Sequence, residues 1–283
     1  MNSNGYDRKA DDLGNIVGLE HVNITIPDQS TAVTFYVLGL GLTRDPYMNV
    51  GLNNMWVNVG GQQFHLPTRG TQKIPGHIGL VLSDLEALKR RLATVQPELK
   101  GTRFKWREAA DHVAVTGPWG NRFRCHVPGP EFGDMTIGMP YVEFLTPPGT
   151  ARAIGKFYKT VLQAPVVYKN GSARVKVGRN QSLIFTETDG RIPKFDGHHI
   201  AIYIANHSRA HEFLLRRDLI MEESNAHQYR FKDIVDPTTG EKAFELEHEV
   251  RSLYHPMVGR IMVNRNAGQT QRNYMPGQDA YYP

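Results

Sequence analysis

One cysteine, Cys125, stands alone in 283 residues. No intramolecular disulfide framework can hold the fold, and the chain suits a reducing compartment, the cytoplasm. Long apolar runs are also missing. Nothing approaches the roughly 20 residues that cross a bilayer, so no membrane partner is expected. Met1 to Asp12 is polar and lacks the apolar stretch of a signal peptide. Residues 1–15 read as a disordered leader. Excess charge is small, with 33 Lys+Arg against 28 Asp+Glu, and the basic residues are scattered. Lys89-Arg90-Arg91 and Arg216-Arg217 fall on expected helices and read as solvated faces. No basic stripe is interleaved with aromatics, which argues against a nucleic-acid partner. An acidic small molecule is compatible with the charge.

What the chain has is a phrase repeated four times. An alternating strand runs into an amphipathic helix at Leu19-Glu20-His21-Val22-Asn23-Ile24, at Gly76-His77-Ile78-Gly79-Leu80, at Tyr141-Val142-Glu143-Phe144 and at His198-His199-Ile200-Ala201-Ile202. Strand-like segments follow each helix, as in Met55-Trp56-Val57 and Gln63-Phe64-His65. The unit is therefore strand, helix and about three strands, and repetition of this length fixes architecture. The Pro/Gly-rich stretch after Val127 divides the chain. The expected domains are 16–130 and 138–256, each of two units, followed by a tail at 257–283 that is either disordered or draped over the body. Gly117-Pro118-Trp119-Gly120 and Asp236-Pro237-Thr238-Thr239-Gly240 are the turns before the closing strands.

In these residues the chain resembles the vicinal oxygen chelate superfamily: glyoxalase I, bleomycin- and fosfomycin-resistance proteins, and extradiol ring-cleaving dioxygenases. The resemblance implies an α+β fold in which paired βαβββ modules form open, cup-shaped mixed sheets in two tandem domains. It also implies a divalent metal held by ligands from the first and last strands of paired units. Fe(II) is favoured, with Mn, Zn or Co as alternatives. With pairing inside each half, the first cup would carry His21, His65 and His77 as ligands, with Arg124 in the fourth place, where the family usually has Glu. A guanidinium cannot bind a cation but can grip a substrate anion. The second cup would carry Tyr141, Ile184, His199 and Glu245, with Glu143 able to replace Tyr141 as a ligand because it faces the same way.

The same comparison assigns acid–base work to His227, Tyr229 and Glu245, and substrate contact to Arg124, Trp56 and Tyr141. Asn225-Ala226-His227 before Asp236-Pro237 and Glu245 matches part of the extradiol signature, but the tyrosine expected just before Asp-Pro is missing. Glu245, Glu247 and Glu249 share one strand face and need cations among them, while His248 faces the other way. Trp56, Phe64, Trp106, Trp119 and Phe123 either line a cup or form core. Cys125 reads as buried and inert. The implied function is a metal-dependent, extradiol-dioxygenase-like enzyme acting on a small oxygen-rich substrate. Two alternatives stand beside it: a glyoxalase-like isomerase, lyase or epimerase, and a metal-free binding protein of the resistance type. A homo-oligomer is compatible with each.

Overall fold

Each of the four repeats folds as strand, helix and three strands. The structure is a computed structural model that describes residues 8–48, 53–269, 271–276 and 280–282. Module 1 contains β1 (Ile16–Asn23), α1 (Gln29–Ala32, continued by a π-helical turn at Val33–Gly39), β2 (Thr43–Arg44), β3 (Asn54–Val59) and β4 (Gln62–Pro67). Module 2 contains β5 (Gly76–Val81), α2 (Leu85–Val95), β6 (Lys105–Glu108), β7 (Val113–Thr116) and β8 (Arg122–His126). Module 3 contains β9 (Gly138–Thr146), α3 (Ala151–Thr160), β10 (Val166–Lys169), β11 (Ser172–Gly178) and β12 (Gln181–Glu187). Module 4 contains β13 (His199–Ile204), α4 (His207–Leu215), β14 (Ile220–Asn225), β15 (Gln228–Val235) and β16 (Lys242–Ser252). The first two helices begin at an aspartate a few residues after the strand. Asp28 accepts from the backbone N–H groups of Ser30 and Thr31, and Asp84 accepts from that of Ala87, which satisfies donors the first helical turn leaves open.

The fold is α+β, with paired modules in two tandem domains, but the pairing crosses between the halves of the chain. One eight-stranded sheet runs β14-β15-β16-β13-β1-β4-β3-β2, and the other runs β10-β11-β12-β9-β5-β8-β7-β6. Module 1 therefore forms a cup with module 4, and module 2 with module 3, through the antiparallel pairs β1·β13 and β5·β9. This corrects the expectation that modules 1 and 2 share a cup. The modules of one half meet instead behind the sheets. Phe123 of β8 packs against Phe35 at 5.5 Å and Phe64 at 5.9 Å between ring centroids, which joins modules 1 and 2. Phe157 of α3 packs against Phe231 of β15 at 5.7 Å, and Tyr158 bonds His248, which joins modules 3 and 4. Phe64 and Phe123 are therefore core and do not line a cup. Cys125 is buried in the same core, and burial pushes its thiol up to about 12.

Residues 8–15, expected to be disordered, lie against module 3, where Lys176 donates to the Asp12 carbonyl at 2.7 Å. Residues 1–7 are outside the described residues. Lys89 joins Glu86 and Glu108, while Arg91 folds back to donate to the Leu40 carbonyl and is not a solvated charge. The tail is draped over module 1. β17 (Met262–Asn264) pairs with β18 (Ala280–Tyr282), and the Asn264 side chain exchanges two hydrogen bonds with the backbone of Gly60. Gly60 has φ +64, and a Cβ there would lie 2.1 Å from the Ile137 carbonyl oxygen, so only glycine fits this turn. Among the described residues no helix is long and apolar enough to cross a membrane.

Candidate metal centre

The crossed pairing decides which histidines meet. In β1·β13, His21 lies opposite Ala201 and Asn23 opposite His199, so the two imidazoles are related by a local two-fold. Asn23 is in turn opposite His65 on β4. One ring nitrogen from each of His21, His65 and His199 lies within 4.8 Å of the others. His77, expected beside His21 and His65, is on β5 in the other sheet and is not part of this group. His199 takes its place. Glu143, expected with His199, is likewise in the other cup.

The buried surroundings fit a metal better than they fit three structural histidines. Nε2 of His21, of His65 and of His199 is buried with no hydrogen-bond partner, an arrangement whose desolvation cost calls for a ligand. Nδ1 of His21 donates to Glu20 at 2.8 Å, so Nε2 is the ring nitrogen left to bind a ligand. A carboxylate behind an imidazole is how metal-binding histidines are commonly oriented. Burial, then the neighbouring charges of His21, Arg251 and Arg230, pulls His65 down to about 2. Burial first, then His21, also holds His199 well below 6.5. Both rings are thus neutral, the form that can donate a lone pair to a cation. Burial pushes Glu20 up, but the hydrogen bond from His21 and the charges of His21 and Arg251 outweigh it and hold the carboxyl at about 2. Trp56 stacks on His65 with 3.8 Å between centroids and fixes that ring.

The row of three glutamates on β16 contains the cations it needs. Arg230 bonds Glu247 at 2.8 Å and also pairs with Glu249, while Arg251 joins Glu249 to Glu20. By register Glu249 holds in module 4 the place of His65 in module 1, because Ala201 lies opposite Glu249 as Asn23 lies opposite His65. Glu247 lies opposite His199, with carboxylate and ring 3.6 Å apart. Glu245 does not reach the cluster. β13 starts at His199, so Glu245 extends past it to the rim, where it meets Lys242 at 3.2 Å and Lys232 at 3.8 Å. Tyr229 faces away from the cup and packs against His207 and His211 of α4, because residues on β15 alternate and Arg230 has the inward place. His227 lies at the β14–β15 turn beside Ser252, the last residue of β16. Sequence reading missed Glu20, Glu247, Arg230 and Arg251. The three-glutamate row was the signal that arginines had to be nearby.

The other cup has the equivalent register positions occupied by His77, Arg124, Tyr141 and Ile184. This set has one imidazole. Glu143 accepts from Arg124 and His77, each at 3.2 Å, and from Thr186 at 3.0 Å. His126 accepts from the Tyr141 hydroxyl at 2.9 Å.

No model of a known protein family and no curated protein matches the sequence. Solved structures do match the fold. A candidate dioxygenase from Bacillus subtilis is 15% identical with a TM-score of 0.56, over 84% of this chain and 86% of that one. Glyoxalase I from Zea mays is 12% identical with a TM-score of 0.56, over 83% and 92%. A point mutant of the Zea mays enzyme is 15% identical with a TM-score of 0.57, over 83% and 92%. With four βαβββ modules, two eight-stranded cups and these neighbours, the chain has the vicinal oxygen chelate fold in its two-domain, four-module form.

Proposed function

We propose that the cup of modules 1 and 4 holds one divalent metal on His21, His65 and His199, and that the protein is a metal-dependent enzyme for a small oxygen-rich substrate. The observation that carries this reading is the convergence of three histidines, each with a buried ring nitrogen that has no hydrogen-bond partner. Three imidazoles suit Zn, Fe, Mn or Co. A metal there would supply Lewis-acid polarisation of substrate oxygens. Glu20 would keep the His21 ring in one tautomer, and Trp56 would hold His65 and exclude water beside it.

The finer reading is proton transfer, as in an isomerase or lyase. Glu247 lies beside His199, and burial raises its pKa above the usual 4.5 despite the bond from Arg230. A carboxylate near that cluster with a raised pKa suits a general base, and Arg230 is placed to steady it. The oxygenase expectation gave the proton to His227, which sits at the β14–β15 turn beside Ser252.

Elemental analysis of protein purified without chelator tests the site. Near-stoichiometric metal is expected in the wild type and in His77→Ala, and loss in His65→Ala and His199→Ala, with far-UV circular dichroism unchanged. Loss in His77→Ala with retention in His199→Ala would refute the assignment. Metal-dependent oxygen uptake with catechols would return the reaction to the oxygenase class.

A further inference from the structure

The second cup has one imidazole in the register positions that hold three in the first, but it has not filled in. It keeps a cavity of about 330 Å³ lined by His77, Arg107, Asp111, Arg124, His126 and Tyr141, within the size range of small-ligand pockets. Across the sheet, Arg107 of β6 lies opposite Ala114 of β7, which lies opposite Arg124 of β8. Directly paired residues share a face, so the two arginines rise on the same side, two strand spacings or about 10 Å apart. By register Ala114 stands between them. The gap is bordered on the far side by Tyr141, whose hydroxyl gives its proton to His126 because the other nitrogen of that ring donates to the Asp111 carbonyl. Gly79 makes room for the tyrosine, since a Cβ there would lie 2.4 Å from its ring. The acidic groups are already engaged. Glu143 takes one edge of Arg124, and Asp111 at the lip pairs with His112 at 2.7 Å. Arg107 has no ion-pair partner among the described residues.

We propose that this second cup binds a small carboxylate or phosphate anion, without a metal, between the guanidinium groups of Arg107 and Arg124. Both groups are planar forks suited to bidentate grip of such an anion. The site lies in a different sheet from the three-histidine cluster, so it stands or fails separately from the metal-centre reading.

Isothermal titration calorimetry on the full chain carrying His199→Ala, so that a metal in the first cup cannot report, tests it with inorganic phosphate and separately with succinate. One-to-one binding of at least one probe is expected. Tighter phosphate would mark a phosphate-bearing ligand, and tighter succinate a carboxylate. Arg107→Met and Arg124→Met should each weaken binding at least about tenfold, and Arg124→Lys should weaken it too, because lysine keeps the charge and loses the fork. Arg107 is exposed, so its variant decides the matter if Arg124→Met loses its fold by circular dichroism. No heat with either probe through the millimolar range, or undiminished binding in Arg107→Met, would overturn the proposal.

Discussion

His248 shows how one strand serves two chemistries. Its neighbours Glu247 and Glu249 face the cup, while its own ring is fully buried on the other side, stacked on Phe231 at 4.4 Å. It donates to the Leu246 carbonyl and accepts from the Tyr158 hydroxyl, so only the neutral form fits. Burial pulls its pKa from 6.5 to about 3. The unfolded chain therefore binds a proton here that the folded chain refuses between those values. Stability is lost as pH falls through that window, by up to about 1.4 kcal/mol per pH unit. His248→Phe should lose less stability on acidification, judged from urea midpoints at neutral pH and about pH 4.5. At neutral pH the same variant should be weaker by about 1–3 kcal/mol, because Tyr158 loses its acceptor. An unchanged acid slope would assign the titration to other histidines. Alternation along β16 was legible in the sequence, so the opposite facing of His248 and the glutamates could be read directly. Which glutamate meets His199 could not, because that depends on where β13 begins.

At the scale of elements, strands, helices and turns were legible in the periodicity, and their partners were not. The apolar-polar alternation of β1 is the same whether its neighbour is β5 or β13, since either strand offers a similar edge. That one ambiguity moved His77 out of the expected cluster and His199 into it. The tail was similarly undecided, because it has no periodicity. Its anchors are single polar side chains reaching the cup face of module 1. Arg260 bonds Asp45 at 2.9 Å and also reaches Gln63, and Asn58 donates to the Val263 carbonyl at 2.9 Å. Asp45 is buried but also accepts from Gln63 and from the backbone of Tyr47 and Met48. Arg260→Ala should therefore cost about 1–3 kcal/mol, less than an unsupported buried charge would. Limited proteolysis should also cut residues 257–276 sooner in that variant. Equal cleavage would mean that the Asn264–Gly60 bonds hold the tail alone.

For the whole molecule, the cups bind the halves together while the aromatic cores hold each half to itself. Residues 1–133 expressed alone would keep the core of Phe35, Phe64 and Phe123 but leave β1 and β5 without antiparallel partners. Unpaired edges seek other edges. Light scattering should find this fragment dimeric or aggregated, and a cooperatively folded monomer would contradict the crossed arrangement. The crossing has a further consequence. Two identical half-chains assembled this way would make two identical cups, and any substitution would appear in both. Joining the halves into one polypeptide removes that constraint, so each cup can be altered without changing its twin. One has three imidazoles and a glutamate in the equivalent register positions, while the other has histidine, arginine, tyrosine and isoleucine. Covalent linkage frees one copy to diverge while the other keeps its residues.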